Sequence, residues 1–213
     1  MLRGFIFDLD GTLADTLEDI ARSVNHALQV HDEPSHPLSD YPKFIGGGAE
    51  NLIRKALREE RRHRVQEILE TYRAHYALHL LDHSAPFNGI PEVLDRLVAE
   101  GVKVAVLSNK PDVPTRRMVD ALFSRWPLSP VFGERAGIPR KPDPTSALEC
   151  ARAMGVPPPQ CAFIGDTAID IHTAHNAGMV GVGVTWGFRP EELEPAGARH
   201  IFDKPEQLLS LLG

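Results

Sequence analysis

Cysteine is scarce in this chain of 213 residues, which contains only Cys150 and Cys161. Two cysteines cannot form a disulfide framework, and we interpret both as reduced, packed thiols of a reducing compartment. The longest stretch without Asp, Glu, Lys or Arg, 171–188, holds two His, one Asn and four Gly, which excludes a membrane span. The first residues, MLRGFIFDLDG, do not have the pattern of a signal peptide. We therefore expect a soluble, cytoplasmic protein that has no membrane partner.

Positive charge is also in deficit, with 23 Lys and Arg against 29 Asp and Glu, a net charge of −6. This balance disfavours binding to nucleic acid, whose phosphate backbone needs a positive face. It leaves room for a small phosphorylated ligand, because one local pocket or a bound cation can reverse the sign. The length predicts one domain, or one domain with an insertion, and leaves monomer and homodimer open.

The chain divides into a helical block and a block of alternating strands and helices. GFIF at 4–7 is typical of a buried strand, and helical periodicity follows over 17–28, near 49–62 and over about 64–81. From 85 onward, strands are predicted at 102–107, 161–164, 180–184 and 200–202, and helices at 91–100, 112–123, 143–155, 168–178 and 205–212. This alternation predicts an α/β protein with a Rossmann-like parallel sheet. The helical block is then an inserted cap.

Acidic and polar side chains follow several of these strands at the points where the strands end. In chain order they are Asp8, Asp10, Ser108, Asn109, Lys110, Asp166 and Asp170, together with Lys141 just before a helix. In an open parallel sheet the ligand lies beyond the carboxyl ends of the strands. We therefore expect these loops to meet at one edge of the sheet.

The carboxylates of this group predict a metal site. Crowded carboxylates repel one another unless a cation neutralises them, and oxygen ligands suit Mg²⁺. We predict Asp8 and Asp166 as metal ligands, with the backbone carbonyl of Asp10 as a third. Asp170 would not contact the metal directly, but would bind Lys141 or the water molecules that coordinate the metal.

The same group has the parts needed for phosphoryl transfer. A carboxylate such as Asp8 can attack phosphorus and form an aspartyl-phosphate. Asp10 can protonate the leaving oxygen and later deprotonate the water that breaks the intermediate. Ser108, Asn109 and Lys141 are predicted to bind the phosphoryl oxygens, whose charge such a site must accommodate.

Four segments resemble, in order, the motifs of haloacid dehalogenase-superfamily phosphatases, namely FIFDLDGTLADT, LSNK, KPDP and IGDTAID. The resemblance implies a catalytic core formed by 1–14 and 85–213, and a helical cap of the C1 type at 15–84. It also implies a Mg²⁺-dependent phosphomonoesterase with Asp8 as nucleophile and Asp10 as acid and base. Thr167 stands where the family often has a second acidic residue, but the spacing of Asp166 and Asp170 matches the other common form.

Two later segments, VTWGFRPEEL and GARHIFDKPEQLL, are similar to the phosphoglycolate phosphatase subfamily. This similarity implies that the substrate is a small phosphate ester, with phosphoglycolate first among the candidates. A sugar-phosphate phosphomutase, or a phosphatase of another small phosphate, would carry the same four motifs. A binding module without catalysis is disfavoured, because the motif carboxylates and lysine are all intact.

The predicted cap offers two further hypotheses. Lys43, just before FIGGG, would pair with the carboxylate of a small acid substrate such as phosphoglycolate. His75, His79 and His83 have the spacing to share one helix face as a zinc site. No carboxylate or cysteine pattern completes that site, and a mixed polar face is the favoured interpretation.

Overall fold

The structure is a computed structural model that describes residues 1–213. Its strands are β1 (Gly4–Phe7), β2 (Ala14–Asp15), β3 (Ala85–Pro86), β4 (Lys103–Pro111), β5 (Val131–Glu134), β6 (Cys161–Gly165), β7 (Val180–Val184) and β8 (His200–Phe202). Its α-helices are α1 (Leu17–Val30), α2 (Ala49–Ala56), α3 (Val65–His79), α4 (Ile90–Ala99), α5 (Asp112–Phe123), α6 (Thr145–Met154) and α7 (Ala168–Asn176). Short 3₁₀ segments cover Leu38–Lys43, Glu59–Arg64, Pro158–Gln160, Pro190–Glu192 and Pro205–Leu212.

Six strands form one sheet in the order β5-β4-β1-β6-β7-β8, and every neighbouring pair is parallel. The first strand lies near the middle, where Phe7 pairs with Val106 of β4 and with Ile164 of β6. All its residues are buried, as expected of an apolar run in a sheet covered on both faces. The predicted α/β class with a parallel sheet is confirmed, and the carboxyl ends of β1, β4 and β6 lie side by side.

The two faces of the sheet pack into separate apolar clusters. Because successive side chains of a strand point to opposite faces, Phe5 and Phe7 join the larger cluster and Ile6 joins the smaller one. The larger cluster also includes Ile20 of α1 and Ile53 of α2. The inserted helices therefore share a continuous apolar core with one face of the sheet.

The helices α1, α2 and α3 all lie between β2 and β3, which pair with each other in antiparallel orientation. Ala14 is opposite Pro86 and Asp15 is opposite Ala85, so the chain leaves and returns at one place. The division into a core of 1–14 and 85–213 and a cap of 15–84 stays a prediction. No helix of the structure has the length and hydrophobicity needed to cross a bilayer.

Several elements differ from the sequence expectations. The short strands β2 and β3 were not predicted, and the helix expected over 205–212 is a 3₁₀ segment. The edge strand β5 was not predicted, and its residues are mostly half-buried. The helix expected near 49–62 ends at Ala56, because Leu57 takes an extended conformation with φ −100° and ψ 141°. A 3₁₀ turn then continues over Glu59–Arg64, so the expected single helix is two shorter segments.

Candidate active site

The carboxyl ends of the central strands frame a cavity of about 50 Å³. Its lining from the sheet side consists of Asp8, Asp10, Ser108, Asn109, Lys110, Pro111, Asp166, Thr167 and Phe188. Its lining from the inserted segment includes Ile45, Gly46, Gly48, Ala49, Leu52 and Tyr72. The structure thus brings loops that are far apart in sequence to one cavity, and the inserted segment forms part of its wall.

Lys141 lies just beside this cavity as a buried cation. Its side chain is 1% exposed, and its Nζ lies 2.7 Å from Asp170 Oδ1 and 3.0 Å from Asp8 Oδ2. Burial by itself would lower the pKa of Lys141, but the charges and hydrogen bonds of Asp170 and Asp8 outweigh it and raise that pKa. The lysine therefore stays charged and holds the two carboxylates in place.

Asp170 is fixed by its own helix as well as by the lysine. Its Oδ2 accepts hydrogen bonds from the backbone N–H of Thr167 at 3.1 Å and from the Thr167 hydroxyl at 2.9 Å. These bonds belong to a capping box at the start of α7, an arrangement that satisfies backbone donors at a helix N-terminus. Asp170 therefore has one oxygen for the helix and one for Lys141.

Three carboxylates converge beside this lysine. Asp8, Asp166 and Asp170 each offer an oxygen, and these oxygens all lie within 4.8 Å of one another. Burial, together with the charges of Asp170 and Asp10, raises the pKa of Asp8 to about 6 against the opposing charge of Lys141. Burial, with the charges of Asp170 and Asp8, raises the pKa of Asp166 well above its usual range. The single positive charge of Lys141 therefore does not balance the three carboxylates of the cluster.

The donor set of this cluster fits a hard metal ion. It consists of carboxylate oxygens without cysteine or histidine, which is the ligand type preferred by Mg²⁺, Ca²⁺ and Mn²⁺. Asp166 is also oriented, since its carboxylate accepts hydrogen bonds from Phe188 N at 2.7 Å and Thr12 Oγ1 at 3.2 Å. No other group of histidines, cysteines and carboxylates in the chain has metal-binding spacing, the histidines of α3 included.

The close approach of the first loop to Asp166 depends on a glycine. Gly11 has a φ of +82°, which side-chain-bearing residues rarely adopt. A Cβ atom at this position would lie 2.4 Å from Asp166 Oδ2. Gly11 therefore lets the loop after β1 turn directly against the carboxylate that follows β6.

Asp10 faces a different set of partners from Asp8. Its Oδ1 accepts hydrogen bonds from Thr16 Oγ1 at 2.8 Å and from Lys110 Nζ at 2.7 Å. Lys110 also donates to the Tyr76 hydroxyl at 2.6 Å, so a residue of α3 contacts the sheet edge. The strand pattern places Lys110 at this edge but does not predict its bond to Asp10.

Ser108 and Asn109 both line the cavity, but they are bonded differently. The Ser108 hydroxyl accepts only a 3.3 Å bond from the backbone N–H of Lys110. The Asn109 amide is fully engaged, donating to the carbonyls of Gly46 and Lys141 at 3.0 Å each and accepting from Lys141 N at 2.9 Å. Asn109 thus fastens the backbone around Lys141 and joins it to the inserted segment.

The structure does not bring Lys43 to the cavity. Lys43 is exposed and does not line the cavity. Its backbone carbonyl accepts a hydrogen bond from Lys55 Nζ at 2.9 Å. Lys43 ends a 3₁₀ turn, and the chain reaches the cavity wall only at Ile45.

The chain belongs to the haloacid dehalogenase-like hydrolase family, whose sequence profile matches residues 5–184. The resemblance drawn from the four motifs is thereby confirmed. A phosphoglycolate phosphatase of Caulobacter vibrioides is 33% identical over 218 residues, covering 97% of this chain and 90% of the relative. A phosphoglycolate phosphatase of Aquifex aeolicus is 31% identical over 187 residues, covering 88% and 86%.

Solved structures agree with this assignment. A crystal structure of a protein from Lactobacillus delbrueckii subsp. bulgaricus matches with a TM-score of 0.89 at 33% identity, covering 97% of this chain and 96% of the other. A predicted phosphoglycolate phosphatase from Haemophilus somnus matches with the same TM-score at 27% identity, covering 100% and 98%. The α/β fold of the family therefore extends over the whole chain.

Proposed function

We propose that this protein is a Mg²⁺-dependent phosphatase that hydrolyses a small phosphomonoester through an aspartyl-phosphate on Asp8, with phosphoglycolate as the first candidate substrate. The observation that carries the proposal is the position of Asp8, whose carboxylate lies 3.0 Å from buried Lys141 and within 4.8 Å of Asp166 and Asp170. A carboxylate nucleophile attacking a phosphate dianion needs such compensating positive charge. The similarity to phosphoglycolate phosphatases over most of the chain supports the substrate.

In the first half-reaction, an Asp8 oxygen bonds to phosphorus and the ester P–O bond breaks. Lys141, Ser108 and the backbone amides of the first loop hold the phosphoryl oxygens. Asp8, Asp166 and the backbone carbonyl of Asp10 would hold Mg²⁺, with Asp170 beside them; when bound, the ion neutralises charge on the phosphoryl oxygens. Asp10 gives the leaving oxygen its proton.

The second half-reaction uses Asp10 in the opposite direction. Water attacks the phosphorus of the aspartyl-phosphate, Asp10 takes a proton from that water, and Asp8 and inorganic phosphate are released. Both contacts of the Asp10 carboxylate, from Thr16 and Lys110, are made to Oδ1. Oδ2 is therefore the oxygen that can carry the proton. The inserted helices would keep bulk water out until the leaving group departs.

The test is the substitution Asp8→Asn, assayed by phosphate release from 2-phosphoglycolate with and without Mg²⁺. We expect turnover to fall by roughly 10³-fold or more, because an amide cannot form the acyl-phosphate. The matched control is Asp120→Asn, which removes an exposed carboxylate of α5 that does not line the cavity. Circular dichroism should show an unchanged fold in both variants.

Two results would count against the proposal. Asp8→Asn activity within about tenfold of the wild-type value would remove Asp8 as nucleophile. Conversion of a phosphosugar into its isomer, without release of phosphate, would identify a phosphomutase instead.

A further inference from the structure

A second cleft opens beside the catalytic cavity, between α3 of the inserted segment and α5 of the core. It measures about 230 Å³ and shares Ala49, Tyr72, Lys110 and Pro111 with the catalytic cavity. The two spaces are therefore neighbours that share part of their walls. The proposed mechanism uses only the first of them.

The size of the catalytic cavity shows why the second space matters. A volume of about 50 Å³ accommodates only a few water-sized groups, roughly the atoms of a phosphoryl group. A cavity of this size leaves little space for the leaving group of an ester bound there. The neighbouring cleft is more than four times larger and is the adjoining space on the Lys110 side.

The charges lining the cleft are all positive. Lys110, Arg73 and Arg117 line it, and no carboxylate does. Lys110, 5% exposed, is paired with Asp10. Arg117 donates to the backbone carbonyl of Ala77, and neither arginine forms an ion pair. Arg73 of α3 and Arg117 of α5 are both exposed residues, so the cleft has two cations at its solvent side that no carboxylate pairs with.

The catalytic cavity has the opposite balance of charge, since three carboxylates and one cation line it. A second anionic group on the substrate would be repelled by those carboxylates and attracted into the cleft. The rest of the cleft is mainly apolar, with Leu80, Val113 and Pro114 among its walls. This lining suits a short carbon chain that ends in an anion.

We propose that this cleft is the subsite for the leaving group, and that Arg73 and Arg117 bind a carboxylate there. The inference rests on the proposed phosphatase function and adds the residues that recognise the carboxylate of such a substrate, a phosphate ester of a short hydroxy acid. The carboxylate-binding cations are then on α3 and α5, in place of Lys43, which lines neither the catalytic cavity nor the cleft.

The test compares esters that differ only in this carboxylate. One pair is 2-phosphoglycolate and 2-hydroxyethyl phosphate, and a longer pair is 3-phosphoglycerate and glycerol 3-phosphate. In Arg73→Gln and Arg117→Gln, kcat/KM for the better acid ester should fall by about tenfold, mainly through KM, while its neutral analogue stays within about twofold. Arg73→Lys should recover much of the loss, because the charge is retained.

The matched control is Arg62→Gln, which removes an exposed charge of the inserted segment outside the cleft. It should leave kcat/KM for both esters unchanged.

Two outcomes would overturn the subsite: an equal loss of kcat/KM on the acid and neutral esters, or the same loss in Arg62→Gln. If the wild-type enzyme releases phosphate from both members of each pair equally and Arg73→Gln changes nothing, the phosphatase proposal stands and the subsite fails. If it hydrolyses none of the esters, both proposals fail.

Discussion

At the scale of single residues, the arrangement of the site depends on the buried ammonium of Lys141. Two of the three clustered carboxylates contact it directly, and its side chain is 1% exposed. A buried charge is costly without a partner, and losing one member of a buried pair leaves the others uncompensated. We therefore expect Lys141 to stabilise the folded state, in addition to the phosphate-binding role proposed for it.

We expect Lys141→Met to destabilise the Mg²⁺-free protein at pH 8 by about 3–5 kcal/mol, measured by urea unfolding. The loss should be smaller at pH 5. Without the lysine, the pKa values of the carboxyls rise further in the folded protein, so the folded state binds more protons than the unfolded state. Its stability therefore increases as the pH falls toward the ordinary carboxyl pKa and decreases as the pH rises.

Lys103→Met is the control, because Lys103 is an exposed residue at the start of β4. It should change the free energy of unfolding by less than about 0.5 kcal/mol at either pH. A Lys141→Met variant that is as stable as Lys103→Met at pH 8 would show that the cluster does not need its ammonium.

Sequence reasoning reached some of these residues and not others. Asp8 and Asp166 were expected at one sheet edge because each follows the end of a predicted parallel strand. Lys141 was expected there because it stands just before a helix in the same half of the chain. The contact of Lys110 with Tyr76 was not foreseeable in this way. It joins residues 34 positions apart and depends on how α3 packs over the sheet, which local periodicity does not specify.

At the scale of elements, Asp19 ties the inserted helices to the place where the chain returns to the sheet. This residue of α1 is 2% exposed. Its carboxylate accepts hydrogen bonds from the backbone N–H groups of His83 and Ser84 and from the Ser84 hydroxyl, at 2.7–3.0 Å. These bonds lie beside the pairing of β2 with β3. Two sets of contacts therefore join the point where the chain leaves the sheet for the inserted helices to the point where it returns: the β2–β3 pairing and the hydrogen bonds of Asp19.

We expect Asp19→Ala to lower the free energy of unfolding by about 2–3 kcal/mol, because it leaves buried donors without an acceptor. For a chain of this length, that corresponds to a fall of about 5–10 °C in the melting temperature, measured by calorimetry. Glu18→Ala is the neighbouring control, since the Glu18 side chain is 43% exposed and its ion-pair partners, Arg22 and His83, are exposed residues. Equal melting temperatures for the two variants would refute the role of Asp19.

The elements themselves were largely predictable where apolar periodicity was strong. The strands over 4–7, 161–164 and 180–184 and the helix over 112–123 agree with the structure to within a residue. The edge strand β5 escaped prediction because its four residues include Gly133 and are mostly half-buried. A Cβ on Gly133 would lie 2.5 Å from the Cα of Asp112, so this glycine serves a close packing contact that weakens the strand signal.

At the scale of the whole molecule, metal binding and folding should be linked. The folded chain gathers three buried carboxylates around one ammonium, whereas the unfolded chain separates them. A cation that binds only the folded state stabilises it by mass action. Calorimetry can therefore detect the predicted metal site without any substrate.

We expect Mg²⁺ at about 100 times its dissociation constant to stabilise the protein by about 2.7 kcal/mol. For a chain of this size, the melting temperature should then rise by about 5–10 °C. Asp166→Asn should lose most of this rise, because it removes a charged ligand from the cluster, whereas Asp120→Asn should retain it. KCl at the same ionic strength corrects for general screening. A rise of the same size in KCl, or an undiminished rise in Asp166→Asn, would mean that the three carboxylates do not bind the ion, because a specific site requires both its charge and its geometry.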